Sequence, residues 1–129
     1  MSTDRVLSGM GPTGRLHLGH YHGVLKNWCE LQNQHDCYFM IADLAALTTH
    51  YEKRDVIKNN IWEMLVDWLA AGIEPEKATI FIQSKVPEHN ELAWLLGMNT
   101  PLEWLQKIPA YQEKISKLQG TDLSTYGFL

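Results

Sequence analysis

A glycine-rich turn that runs directly into a histidine-flanked helix start, at residues 7–23, constrains this sequence more than any other stretch. It reads LSGMGPTGRLHLGHYHG. A helix beginning near Leu18 presents free backbone N–H groups and the positive end of its dipole, which together suit an anion such as phosphate. His17 and His20 are three residues apart and share a face. Gly19 costs about 1 kcal/mol relative to alanine there. A flat ligand lying against bare backbone would explain that cost, so we expect a nucleotide.

Three short apolar runs alternate with helical patterns along the first two thirds of the chain. We predict strands at Arg5–Leu7, Cys37–Ala42 and Ala78–Ile82, the first of them buried on both faces. We predict a tight turn over Ser8–Gly14, in which Pro12 fixes one backbone angle and three glycines, Gly9, Gly11 and Gly14, permit positive φ. The alternation predicts an α/β fold with a parallel sheet and right-handed crossover helices.

Apolar residues at helical spacing predict which helix faces pack inward. The first helix carries Leu18, Tyr21, Leu25, Trp28 and Leu31 on one side. In the next helix, capped by Asp55 and ended by Gly72, the corresponding residues are Ile57, Ile61, Leu65, Trp68 and Leu69. Between them, the segment Leu44–Arg54 is polar, and we predict an irregular, mobile binding loop.

Proline and capping residues punctuate the last third of the chain. Pro87 suits the first turn of a helix through Leu96, and Thr100–Glu103 combines a capping box with proline at the first helical position. Pro109 ends or kinks that helix, and Tyr111–Leu118 is predicted to be helical again, with Gly120 closing it. Four tryptophans at helical spacing are predicted to be core or subunit-interface residues: Trp62, Trp68, Trp94 and Trp104.

Composition excludes several classes of function. At 129 residues and 45% hydrophobic content, the chain has room for one modest core. A net charge of −4 argues against a protein that grips nucleic acid by bulk electrostatics. The two cysteines, Cys29 and Cys37, form no CxxC, and no signal peptide or membrane-length apolar run is present. We expect a reduced, cytoplasmic protein with two buried thiols and no membrane contact.

Several motifs occur together in a fixed order. The frame SGMGPTGRLHLGHY at residues 8–21 is followed by FMIAD at 39–43, ALTT at 46–49, AGI at 71–73, IQS at 82–84 and the segment 91–111. This set resembles the class I aminoacyl-tRNA synthetases, in which HLGH corresponds to the "HIGH" motif, and specifically their tryptophan branch. The resemblance covers nearly the whole chain. It implies a partial Rossmann-like (HUP-type) parallel sheet, with residues 1–129 forming the N-terminal part of the catalytic domain.

The same resemblance implies an activity. Such an enzyme activates tryptophan with ATP, accompanied by Mg²⁺, to an aminoacyl-adenylate and transfers the amino acid to tRNA(Trp). That chemistry needs positioning and fixed hydrogen-bond donors rather than a protein nucleophile or a protein-bound metal. The family's further strands, its side-chain-reading residues, its lysine-bearing KMSKS loop and its anticodon-binding domain have no counterpart in these residues. We therefore expect this chain alone to be inactive, the tRNA to bind through the missing regions, and the intact protein to be a homodimer.

The resemblance also assigns roles to individual residues. His17 and His20 are expected to be catalytic hydrogen-bond donors to the phosphates. The expected ATP-binding residues are Gly11, Pro12, Thr13, Gly19, His20 and Lys114. The expected amino-acid-binding residues are Leu7, Gly9, Asp43 and Ala45. Three positions depart from the family pattern: Gly11 stands where arginine or glutamine is usual, and Leu44 and Ala45 replace a polar pair. The amino-acid pocket could therefore be altered, or the copy degraded to an inactive ATP-binding module.

Two further classes of enzyme and a metal site remain open. The run Gly9–Gly14 spells GxGxxG, the dinucleotide fingerprint of NAD-dependent oxidoreductases, although the expected ribose-binding acid is poorly placed because Asp43 comes 29 residues after Gly14. HxGH nucleotidyltransferases share the histidine motif. A zinc site at His17, His20, His22 and Cys29 would fit no common ligand spacing.

Overall fold

The structure, a computed structural model, describes residues 4–117, with the side chains of Lys53 and residues 114–117 excepted. The chain divides into two compact units, the first ending at Lys85 and the second beginning at Val86. No helix in the described range is long and apolar enough to cross a membrane.

A three-stranded parallel sheet forms the first unit. Its strands are β1 (Arg5–Met10), β2 (Asp36–Ile41) and β3 (Ala78–Ile82), in the order β1-β2-β3. Both strand pairs are parallel. The predicted α/β fold with crossover helices is thus confirmed. The prediction that the first strand is buried on both faces is wrong, because β1 pairs only with β2 among the described strands and its side chains alternate between exposed and half-buried.

The helices of the first unit connect these strands. A continuous helical run consists of α1 (Leu18–His20), a π-helical turn (Tyr21–Leu25) and α2 (Lys26–Leu31). After β2 come α3 (Asp43–His50), a 3₁₀ turn (Tyr51–Lys53) and α4 (Arg54–Ala71), and a second 3₁₀ turn (Gln83–Lys85) follows β3.

The core lies between β2 and the helices α2 and α4. The rings of Trp28 and Phe39 stack with centroids 4.3 Å apart, and Trp68 meets Trp28 edge-on at 4.9 Å. Trp68 is fully buried, as predicted. The predicted inward face of the first helix is correct for Leu25 and Trp28 but wrong for Leu18 and Tyr21, which are exposed. Leu18 is 76% exposed because the helix only begins there and no described residue packs over its first turn.

The turn between α4 and β3 is held by a buried glutamine. Gly72 ends α4 with φ +111°, which confirms its predicted role, since this left-handed backbone favours glycine. The Gln32 side chain donates to the Gly72 carbonyl (2.8 Å) and accepts from the Glu74 N–H (2.9 Å). Cys29 donates through Sγ to the Ala71 carbonyl. These contacts attach α2 to the start of β3.

Two local predictions in the first unit are wrong. Most of the segment predicted as an irregular loop is helical, in α3. The Thr48 hydroxyl donates a hydrogen bond to the Ala45 carbonyl (2.7 Å), which accommodates this polar side chain within the helix. The described glycines of the predicted turn do not use positive φ; Gly72 alone does so among described residues. Ser8 and Gly9 instead continue β1, because each pairs in register with β2.

Up to residue 117, the second unit contains three helices: α5 (Glu88–Gly97), α6 (Leu102–Gln106) and α7 (Pro109–Lys117). Pro87 caps α5, and Pro109 begins α7, close to expectation. The capping box is wrong in detail, because Thr100 donates its hydroxyl to the Leu96 carbonyl (2.7 Å) and Pro101 takes the cap position. Leu118 and Gly120 lie outside the described residues.

Exposed apolar side chains are numerous on α5 and α6. Trp94 and Trp104 are each 67% exposed, as is Trp62 on α4, so these three are not core residues. Their alternative role at a subunit interface stays a prediction. The other exposed apolar residues of the second unit are Leu92, Leu95, Leu96, Met98, Leu102 and Ile108.

Candidate functional site

Most of the predicted site residues lie where the three parallel strands end. The loop 11–17 follows β1, Asp43 follows β2, and Gln83 and Ser84 follow β3. Carboxyl ends of parallel strands share one edge of a sheet, and ligands of open α/β sheets bind in the crevice outside that edge. The topology therefore gathers residues 11–20, Asp43 and Ala45 at one edge.

Two histidines cap the first helix reciprocally. His17 is the N-cap residue, with extended backbone (φ −139°, ψ 174°). Its Nδ1 accepts a hydrogen bond from the Gly19 N–H (3.1 Å), and Nδ1 of His20 accepts one from the His17 N–H (3.2 Å). The ring centroids are 4.0 Å apart. This is the geometry of a capping box, in which imidazoles replace the usual hydroxyl and carboxylate.

The caps determine the tautomer of both rings. A neutral imidazole whose Nδ1 accepts a hydrogen bond carries its proton on Nε2. Both rings therefore present Nε2–H donors. Partial burial, and then the neighbouring His17, lower the pKa of His20, so its neutral form is favoured. The pair consequently offers two directed neutral donors at the helix start.

The capping arrangement also gives Gly19 a role within the protein. A Cβ built at Gly19 would lie 2.8 Å from Cε1 and 2.9 Å from Nδ1 of His17, so the glycine makes room for that ring. Our expectation assigned this room to a flat ligand. The Gly19 N–H, expected to be free for phosphate, is bonded to His17 instead. The Gly19 N–H is thus engaged within the protein, and the two imidazole Nε2–H groups are the donors that the histidine cap leaves free of the cap itself.

The loop that precedes the histidines is anchored on α4. Pro12 is fully buried, and its carbonyl accepts a hydrogen bond from Nδ2 of the buried Asn60 (3.1 Å). The Thr13 N–H closes a tight turn onto the Gly11 carbonyl (2.9 Å). Sequence reasoning missed Asn60. The available signal was a polar residue three positions after Ile57, within the apolar stripe of α4.

Asp43 and Ala45 both bond to the end of β3. Oδ1 of Asp43 accepts from the Ser84 N–H (3.0 Å), and the Ala45 N–H donates to Oε1 of Gln83 (3.2 Å). The start of α3 is therefore tied to the segment after β3. Sequence reasoning did not pair Gln83 or Ser84 with this position, because no local pattern links residues about 40 apart in sequence.

The two amino-acid-binding candidates on β1 differ in their surroundings. Gly9 is required by packing, since a Cβ there would lie 2.9 Å from the Met40 carbonyl oxygen on β2. Leu7 is 62% exposed on the same strand. At Gly11, by contrast, the nearest atom to a built Cβ is Thr13 Cγ2 at 3.8 Å, which is an ordinary van der Waals contact. A Cβ at Gly11 would therefore be tolerated.

Gly14 does not play the part that a dinucleotide fingerprint assigns to its third glycine. That glycine permits close packing of helix against strand. A Cβ at Gly14 meets no atom within 4 Å. The GxGxxG pattern therefore lacks the packing reason for its last member.

Two cavities lie along α4 near the start of the first helix. One, of about 380 Å³, is lined by residues that include His17, Leu18, Tyr21 and Asp67. The other, of about 500 Å³, lies beside the ion pair between Arg15 and Glu63 (3.1 Å) and also includes Asp67. His17 lines the first of them.

The remaining candidates are Lys114, a metal site and the two thiols. The Lys114 backbone is in α7, but its side chain lies outside the described residues. Among residues 4–117, no three His, Cys, Asp or Glu side chains come together in a way that could hold a metal ion. Burial raises the pKa of both thiols, Cys29 and Cys37, and Cys37 is 1% exposed, so the predicted burial is confirmed for Cys37 and partial for Cys29.

Comparison with known proteins found a matching family model, similar sequences and similar structures. The family model described as tRNA synthetases class I (W and Y) matches residues 2–129. Two relatives named tryptophan–tRNA ligase are similar: that of Ralstonia nicotianae is 64% identical over the whole chain, and that of Aquifex aeolicus is 52% identical over 92% of it. The tryptophanyl-tRNA synthetase of Campylobacter jejuni, solved with ADP and tryptophan, superposes with a TM-score of 0.86 at 32% identity over 97% of this chain and 38% of its own.

The matched relatives are longer than this chain. The chain spans about a third of their length, 32% of the Ralstonia protein and 30% of the Aquifex protein.

Proposed function

Since this chain belongs to the class I tRNA synthetases of the tryptophan and tyrosine family, we propose that it carries the ATP-binding part of a tryptophan–tRNA ligase. We propose further that residues 1–129 are the N-terminal part of the catalytic domain. The observation that carries the proposal is the reciprocal histidine cap, which directs two Nε2–H donors from the carboxyl edge of the sheet. Family membership and 64% identity to a tryptophan–tRNA ligase support the choice of reaction and of amino acid.

The reaction needs donors that recognise developing charge. A carboxylate oxygen of tryptophan attacks the α-phosphorus of ATP, the P–O bond to pyrophosphate breaks, and pyrophosphate leaves with its electron pair. Negative charge on the phosphate oxygens grows in the transition state, and fixed donors stabilise it. His17 and His20 supply those donors through Nε2–H. Removal of one such donor typically lowers the rate by about 10² to 10³.

The remaining roles follow the family resemblance. The loop Gly11–Thr13, Gly19 and Lys114 are assigned to ATP, and Mg²⁺ enters with the triphosphate as part of the substrate. Tryptophan lies against Leu7, Gly9, Asp43 and Ala45. Oδ1 of Asp43 already accepts a hydrogen bond from the Ser84 N–H, which holds this carboxylate at the start of α3.

An inactive ATP-binding module is the second candidate. It is favoured by Gly11, which has no side chain to offer although a Cβ there would be tolerated, and by Ala45, which offers only a methyl group and an N–H already bonded to Gln83. In this alternative the loop and histidines still bind ATP, but adenylate does not form.

The intact protein is proposed to work in the cytoplasm as a homodimer that charges tRNA(Trp). The exposed apolar side chains of α5 and α6, including Trp94 and Trp104, support a subunit interface in the second unit. Sedimentation of the intact gene product should give a dimer, and W94E combined with W104E should give monomers. A wild-type monomer would contradict this part of the proposal.

Tryptophan-dependent exchange of pyrophosphate into ATP tests the activity. The intact gene product should catalyse the exchange, and H17A and H20A should each lower it by about 10² or more. ATP binding without exchange would establish the inactive module instead. Retention of NAD rather than ATP would return the assignment to an oxidoreductase.

A further inference from the structure

The carboxamide of Asn60, on α4, bonds the proposed ATP loop from its buried side. Asn60 is 9% exposed and lies among Ile57, Met64 and Trp68, which are buried on the same stripe of α4. A buried polar group in an apolar stripe costs free energy unless it forms hydrogen bonds. Its Nδ2 donates to the Pro12 carbonyl at 3.1 Å. The Asn60 side chain thus forms its hydrogen bond with a backbone oxygen that lies 48 residues earlier in the sequence.

The Pro12 carbonyl oxygen lies in a part of the loop where no strand or helix provides a backbone hydrogen-bond donor. β1 ends at Met10 and the helix begins at Leu18, so Pro12 lies outside both ladders. The Pro12 residue is fully buried. A buried carbonyl without a donor is costly, and Asn60 supplies the donor. The hydrogen bond therefore fixes where the backbone of residues 11–13 stands relative to α4.

We propose that Asn60 is a positioning residue for ATP, holding the loop Gly11–Thr13 in place through the Pro12 carbonyl without touching the nucleotide itself. This inference rests on the proposed function, because that proposal assigns the loop to ATP. Displacement of a substrate-binding loop by about 1 Å lowers rates by about 10². The loss of Asn60 should therefore weaken ATP binding and leave tryptophan binding nearly unchanged.

Asn60→Asp removes the donor at almost constant shape and can restore it with acid. At pH 8 a carboxylate faces the Pro12 carbonyl and cannot donate, whereas a protonated carboxyl can. In the intact gene product, N60D should raise the KM for ATP about tenfold or more at pH 8 and change that for tryptophan less than about threefold. The ratio of variant to wild-type KM should fall towards one as the pH is lowered.

Asn59→Asp is the matched control, because it introduces the same charge on the exposed side of α4, one residue away. N59D should match the wild type at every pH. Asn60→Ala provides a neutral deletion, which should raise the KM for ATP without any pH rescue. Circular dichroism reports whether each variant folds.

Three results would overturn the assignment. The first is a KM for ATP within twofold of wild type in folded N60D and N60A. The second is an equal rise in both KM values, which indicates general damage. The third is failure of both variants to fold, which would make Asn60 a requirement of the core. A wild-type protein that binds ATP but does not catalyse pyrophosphate exchange would refute the proposed function separately. In that case the ATP affinity of the same variants, measured by equilibrium dialysis, decides the role of Asn60.

Discussion

Replacement of Gly19 by alanine should separate the stability of the helix start from its chemistry. The new Cβ would stand 2.8 Å from Cε1 of His17, so the His17 ring must move and its bond to the Gly19 N–H is lost. Loss of an N-cap costs about 1 kcal/mol, while alanine in place of glycine in a helix contributes about 1 kcal/mol. The two effects nearly cancel. We expect the free energy of unfolding, from urea titration, to change by less than about 1 kcal/mol.

The reaction rate should fall even though the two effects on the free energy of unfolding nearly cancel. Displacement of the His17 ring turns its Nε2–H away from the phosphates, and the rate of tryptophan-dependent ATP–pyrophosphate exchange should fall by about 10². Gly23→Ala is the matched control, since it lies in the same helical run and a Cβ there meets nothing within 4 Å. It should leave the exchange rate unchanged.

A spectroscopic measurement decides why Gly19 is needed. Long-range ¹⁵N–¹H spectra of the protein without ATP report which ring nitrogen is protonated. In Gly19→Ala, the His17 ring should lose its fixed Nε2–H tautomer. If the tautomer is unchanged while ATP binding weakens, the glycine clears space for the nucleotide and the capping argument is refuted.

Three further measurements test the same structure. Because the folded protein lowers the pKa of His20, the unfolded chain binds more protons at this residue. The contribution of His20 to the free energy of unfolding should therefore be constant above its ordinary pKa of 6.5 and fall as the pH drops through the lower folded pKa. The variant H20N keeps an acceptor but does not titrate, so it should flatten this pH dependence in urea unfolding. Burial raises the pKa of both thiols, so iodoacetamide at pH 8 should alkylate Cys29 slowly and Cys37 only on unfolding; rapid modification of both would contradict the packing. Gln32→Leu leaves two backbone groups of the turn after α4 unpaired and should cost about 2 kcal/mol, whereas Gln34→Leu at an exposed position should cost less than about 0.5 kcal/mol.

Features that depend on neighbours in sequence were predictable. Alternating apolar runs and helical spacing identified three strands and the main helices, and Gly72 was identified as a helix end, where φ is +111°. The HLGH motif was identified as a helix start with two facing histidines. Each of these rests on a repeat or a cap within about four residues, which a sequence displays directly.

Predictions failed where a residue's environment is set by distant parts of the chain. Leu18 matches the apolar spacing of its helix but is 76% exposed, because no described element covers the first turn. The segment Leu44–Arg54 was assigned to a loop because polar composition does not reveal that Asp43 and Ala45 are tied to the end of β3. Asn60 was passed over because its partner, Pro12, is 48 residues away.

The sequence by itself determined the alternation of three strands with the main helices, the helix end at Gly72 and the presence of two histidines at a helix start, since these follow from local periodicity and capping. Only the tertiary structure decided which nitrogen of each imidazole carries the proton, why Gly19 must be a glycine, and how α4 holds the loop beside them. The physical reason is that hydrogen-bond direction and steric clearance depend on where folded backbones and side chains stand in space, and no pattern of residue types along the chain specifies those positions.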